Sequence, residues 1–186
     1  LAAGCALWFY TLVLPLVAGG LRWSLDSFPL LPELLYYPVG TPQMPDWPKV
    51  LPAAIKKTTR IMLDAPLPII GVRGIRWLAK AIEKLDTGSG AAHSKLFIGQ
   101  VVRMQEEIGT GGGGFRFIYA SFLQEAADRL ARPVLNELAD TLIDIGDEWR
   151  EFALATARMI RDRDPLDPPR LADKLRTIAN REQAFF

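Results

Sequence analysis

Seven prolines fall between Ser27 and Pro52, at positions 29, 32, 38, 42, 45, 48 and 52 of FPLLPELLYYPVGTPQMPDWPKVLP. Each fixes its own φ, removes a backbone donor and pushes the residue before it out of the helical region, so this density excludes a continuous helix. The segment reads as an extended connector, along which Leu34, Leu35, Tyr36 and Tyr37 can still lie against a core. It divides the chain into an apolar N-terminal segment (1–26), a Pro-rich connector (27–52) and a domain over 53–186.

The N-terminal segment carries no charged side chain from Leu1 to Leu21 (LAAGCALWFYTLVLPLVAGGL). About 18 apolar residues is the length at which a spanning helix comes into view. Two readings stay open, a membrane anchor or uncleaved signal, and the apolar edge of a preceding domain. Pro15, Gly19 and Gly20 weaken a helix and no basic stretch precedes the run, whereas Arg22 just after it suits either.

Beyond the connector the spacing of apolar residues is helical. Ala53 to Leu63 is short and amphipathic, and DAPLPIIG breaks it. A helix over Val72 to Leu85 places Ile75, Leu78, Ala79 and Ile82 on one stripe. DTGSGAAHS is a loop, with Ser94 as expected cap of a helix over Lys95 to Ile108. The most regular signal follows: Phe115, Ile118, Tyr119, Phe122, Leu123, Ala126, Ala127 and Leu130. Pro133 is placed to start another helix, whose stripe runs Val134, Leu138, Leu142, Ile145, Trp149, Phe152 and Ala153. After RDRDPLDPP a last helix carries Leu171, Leu175 and Ile178. With no alternating strand pattern of useful length after residue 50, the domain is expected to be an all-α helical bundle of about five helices.

Charge and cysteine usage remove several classes of chemistry. Lys plus Arg number 22 against 21 Asp plus Glu, so no overall field favours nucleic acid. Cys5 is the only cysteine and His93 the only histidine, which leaves no zinc-ligand cluster and no internal disulfide. His93 sits among small loop residues and reads as an exposed imidazole. Asp140, Asp144 and Asp147 share a helical face but lack a Glu-x-x-His partner, so a solvated face is expected and no metal or cofactor. Trp77 and Trp149 read as core or interface anchors. Lys56, Lys57, Arg60, Arg73, Arg76 and Lys80 make 56–80 basic while 137–151 is acidic. These are either complementary faces of one bundle or, for the basic face, a surface for an acidic partner.

Five glycines lie within the stretch IGTGGGGFRFIYASFLQEAA. Gly109, Gly111 and Gly114 satisfy G-x-G-x-x-G, but that fingerprint needs a preceding strand, and here a helix is expected on both sides. Gly109 and Gly114 also have the spacing of a phosphate-binding P-loop, yet Phe115 and Arg116 replace its Lys and Ser/Thr. Two readings survive. One is an anion site at a helix start, with Arg116 in the first turn, for a carboxylate, phosphate or thioester oxygen. The other is a hinge for close helix approach, with Arg116 paired to an acid such as Glu125 or Asp140.

PELLYYPV, AIKKTTRIMLDAPLPIIGVRGIRWLAKAI, the glycine stretch and IGDEWREFA together resemble the C-terminal helical region of the butirosin biosynthesis protein H family, from about Pro32 to Phe152. The most specific part is G-T-G-G followed by F-R, Y-A and F-L-x-E-A. The resemblance implies a cytoplasmic, acyltransferase-like protein of antibiotic biosynthesis, which moves an amino-acyl group from an acyl carrier protein thioester to an amine. It also implies a papain-like N-terminal catalytic domain with a His-Cys element. LAAGCALWF lacks the adjacent histidine, so no catalytic residue carries over, and the chain is not expected to turn over by itself. The candidate ligand-binding set is Gly109, Thr110, Gly111, Gly112, Arg116 and Tyr119. The implied partners are an acyl carrier protein and the catalytic domain, with membrane association through 1–21 left open. The competing class is a non-catalytic helical scaffold or interaction module.

Overall fold

A computed structural model of the chain describes residues 45–108 and 111–186. The apolar N-terminal segment, most of the Pro-rich connector, Gly109 and Thr110 lie outside the described residues. Asp46–Phe186 forms one compact unit. Among the described residues it contains six α-helices, one short 3₁₀ turn and no strand, an all-α bundle.

Helix α1 spans Trp47–Asp64, so the backbone becomes helical six residues before Ala53. Pro48 occupies the first turn, where its missing N–H is no loss. Pro52 lies inside the helix and deprives the Pro48 carbonyl of a donor, but both prolines are exposed, so water can replace it. The helix stops at Asp64 because Ala65 precedes Pro66 and takes ψ 136°, outside the helical region.

Helix α2 spans Gly71–Glu83 and buries Ile75, Ala79 and Ile82 of its expected stripe. Helix α3 spans Ala91–Glu106 and begins four residues before Lys95. Ser94 is therefore not its cap. The Asp86 carboxylate accepts the backbone N–H groups of Gly88 and Gly90, both at 2.7 Å, and so sets the start of α3 from the loop side. Those two bonds hold the Asp86 carboxyl below its ordinary range. Ser94 is buried in the first turn and donates to the Asp86 carbonyl.

Helix α4 spans Arg116–Leu130, and α5 spans Val134–Ile160. Ala131 turns the chain between them in the left-handed region, with φ 50° and ψ 46°. At 27 residues α5 is about 40 Å long. It packs against α3, α4 and the final helix α6, Pro168–Phe185, while α2 lies along α6. Leu142, Ile145, Trp149, Phe152 and Met159 of α5 meet Leu171, Leu175 and Ile178 of α6 in the core. In the first turns of α5 the core side is taken by Leu135 and Ala139, which leaves Val134 and Leu138 exposed at the head of the expected stripe. Asp140, Asp144, Asp147 and Glu151 lie on the solvent face of α5.

Candidate functional site

A helix precedes the glycine run and a helix follows it, the setting that argues against a dinucleotide fingerprint. From Gly111 through Phe115 every residue has positive φ: 67°, 82°, 54°, 55° and 71°. Glycine adopts such values freely, whereas a left-handed phenylalanine costs about 1–2 kcal/mol. Packing explains why the turn needs glycine. A Cβ on Gly113 would stand 2.8 Å from the Phe117 ring and 3.3 Å from Gly146 of α5. A Cβ on Gly146 would meet the other side of that slot, also 2.8 Å from the ring. Phe117 thus wedges between the turn and α5, with the Arg150 guanidinium 4.0 Å above it. Gly113 therefore sits in a close-packed turn against α5.

Anionic groups do gather here, and they belong to the chain itself. The Glu106 carboxylate, at the end of α3, accepts the Gly113 N–H at 3.1 Å. Arg116 donates to Glu182 Oε1 from Nε at 2.8 Å and from Nη2 at 2.7 Å. Trp149 Nε1 donates to the same oxygen at 2.8 Å, and Arg116 Nη1 to the Gly114 carbonyl at 2.6 Å. Glu182 is fully buried, and its Oε2 has no hydrogen-bond partner. The partner of Arg116 is therefore neither Glu125, which pairs with Arg129, nor Asp140. The sequence carries a signal for Glu182: at 171, 175, 178 and 182 it stands on the apolar stripe of α6, where an unpaired acid would be costly.

Beside this cluster opens a pocket of about 260 Å³, walled by Gly114, Phe115, Arg116, Tyr119, Leu142 and Phe186, with Thr58 and Met62 of α1 closing it. Phe115 is 54% exposed and Ile118 53% exposed, so the first turn of the most regular stripe faces outward around the pocket. Burial raises the Tyr119 hydroxyl above its usual range, partly offset by a hydrogen bond with Thr58. Tyr119 stacks on Phe122 at 5.4 Å and tilts against Phe186 at 6.0 Å. The structure thus brings Gly111, Gly112, Arg116 and Tyr119 of the candidate set to one end of the bundle. Phe115, Phe117 and Glu182 join them.

Two roomier grooves lie elsewhere. One of about 630 Å³ between α5 and α6 is lined by Glu148, Glu151, Asp167 and Asp173 together with Arg170 and Lys174, charges that largely answer one another. The other, about 600 Å³, lies where α1 meets the α4–α5 junction. The left-handed Ala131 adjoins the second groove, but of the three only the smaller pocket joins consecutive positive-φ residues to the buried Arg116–Glu182 pair, so it is the better candidate. His93 is exposed in the first turn of α3. Among the described residues no grouping of His, Cys, Asp and Glu suits a metal ion, and no helix is long and apolar enough to cross a membrane.

A family model described as a domain of unknown function, DUF4872, matches residues 24–186. The chain belongs to this family. No curated protein and no solved structure matches it. The DUF4872 match takes in all six helices, so the glycine turn and its pocket lie within the domain that defines the family.

Proposed function

We propose that this DUF4872 chain is the C-terminal helical module of a Cys-dependent acyltransferase-like protein, which supplies binding surface while a separate papain-like domain supplies the thiolate. The observation that carries the pocket's part in this is Phe115, a bulky residue held at φ 71°, half exposed, on the wall of a largely apolar pocket. Backbone strain at a pocket is more often kept for binding than for stability. The Arg116 charge is already met by Glu182, so the pocket suits the acyl or pantetheine arm of a thioester better than a free phosphate. The sequence resemblance supplies the reaction class, amino-acyl transfer from a carrier-protein thioester to an amine, and with it a cytoplasmic setting.

Phe115→Gly tests the pocket, because it removes the ring and relieves the strain together. Binding of an aminoacyl-pantetheine thioester is expected to weaken while thermal stability holds or rises; unchanged binding sinks the pocket's role. The reaction class is tested by reading the gene upstream of the codon for Leu1. An in-frame domain with a His-Cys element is expected there, and a stop codon in its place removes the acyltransferase reading.

One observation favours a second, non-catalytic reading. The main polar groups of the turn, Arg116 and the Gly113 N–H, are satisfied within the chain, as in a scaffold whose glycines serve only close packing. Thioester binding that is absent in the unaltered protein selects this reading.

A further inference from the structure

From Ala65 to Ile82 the chain contains no acidic residue and three cations, Arg73, Arg76 and Lys80. Their spacing of three and seven puts them on one face of α2. With Trp77 and Pro68 they line a pocket of about 230 Å³ at the α1–α2 corner. None of the three belongs to an ion pair among the described residues, although ten such pairs occur elsewhere in the domain. The acidic face of α5 does not neutralise them either: Asp147 goes to Arg150, Glu148 to Arg181 and Glu151 to Lys174.

What holds the two guanidiniums is neutral. Arg76 donates to the side-chain oxygens of Asn180 and Gln183 on α6, and Arg73 to the Ala65 carbonyl at 3.4 Å. Such acceptors orient an arginine without cancelling its charge, so the forks are arranged and the positive field stays open to solvent. Apolar side chains border the same corner: Leu67 is 53% exposed, Ile69 41%, Ile70 37% and Trp77 40%.

We infer that this corner binds a phosphate ester with an apolar body, the phosphate lying among Arg73, Arg76 and Lys80 and the body against Trp77 and the Leu67–Ile70 loop. Three cations suit a phosphate group, whose several anionic and acceptor oxygens can each take a donor, better than a single carboxylate. The pocket holds one phosphate and a small body, whereas an extended nucleic-acid backbone would need a continuing basic track, and no cation beyond these three lines the pocket. The same chemistry has two sources, a soluble phosphate ester and the headgroup of an anionic lipid in a bilayer. The site is separate from the glycine-turn pocket and stands whether or not the acyltransferase reading does.

The experiment uses the full chain and two probes. Hexyl phosphate is titrated by calorimetry, and co-sedimentation is measured with vesicles of phosphatidylcholine with and without phosphatidylglycerol. At least one probe is expected to bind and to be displaced by added salt. Lys80→Gln and Arg73→Gln should each weaken that binding roughly tenfold, the worth of one charged hydrogen bond. Neither substitution touches the core, so circular dichroism and the unfolding midpoint should stay as they are. Saturable hexyl phosphate binding identifies a soluble ester, and binding only to phosphatidylglycerol vesicles identifies the lipid. The inference is overturned if neither probe binds, or if binding survives both substitutions, as adhesion through the apolar 1–21 segment would.

Discussion

The glycine turn and the exposed face of α2 both set arginines against the last turns of α6, and they hold them in opposite ways. Arg116 is largely buried and satisfied by a buried carboxylate, an indole above it and a carbonyl of its own turn. Arg73 and Arg76 are oriented by neutral oxygens at the surface and keep their charge. A cation's partner therefore separates its roles better than its place in the sequence does. A buried arginine on a buried acid is part of the architecture, while an oriented arginine without an acid is available to something else.

The sharpest way to break this contrast is at Glu182. Glu182→Ala leaves the Arg116 guanidinium and the Trp149 indole N–H without their shared acceptor inside the bundle, and should cost about 3–5 kcal/mol in urea unfolding. Glu182→Gln keeps an oxygen for one of the donors and should cost less. A loss under about 1 kcal/mol for Glu182→Ala would mean that the ion pair is not architectural. Next in size is Gly113→Ala, which combines a left-handed backbone with a methyl group 2.8 Å from the Phe117 ring. Roughly 2–4 kcal/mol is expected. A neutral result would show that the turn can shift away from α5.

Much of the bundle was readable because its signals are local. The stripes of α2 and α6 came through, the break before Pro66 is a steric consequence of proline, and the all-α class follows from the 3.6-residue period. What was not readable depended on distance or on competition. Arg116 finds an acid 66 residues away, and only tertiary packing chooses Glu182 over the nearer Glu125. Ser94 is not the cap because α3 begins earlier, at Ala91, behind a loop that the Asp86 carboxylate ties through Gly88 and Gly90. Phe115 and Ile118 continue an apolar stripe yet face outward, since periodicity does not say where a bundle ends. Glycine tolerates the positive φ found at Gly111 to Gly114, whereas nothing in the sequence marks Phe115 for it.

On the exposed face of α2 the expected effects are smaller. Arg76→Ala removes exposed hydrogen bonds to Asn180 and Gln183 and should cost about 1 kcal/mol, well below the loss at Glu182. If the two losses were equal, Arg76 would be architectural as well, and the difference between the two sites would disappear.

The smallest effect should appear in the dependence on pH. Asp86 is exposed and accepts the N–H groups of Gly88 and Gly90, which together with a hydrogen bond from Ser89 hold its folded pKa below the ordinary carboxylate range. The sign follows from linkage. A depressed carboxylate adds stability that is complete above its unfolded pKa and is lost as pH falls through its lower folded one. Asp86→Asn should therefore lower stability slightly near neutrality and flatten the acid side of the stability curve below about pH 4. Part of the slope should remain, since the Arg158 side-chain hydrogen bond depresses Asp164 in the same direction. An acid slope identical to that of the unaltered protein would show that the loop bonds to Asp86 do not persist in solution, and that something other than this carboxylate sets the start of α3.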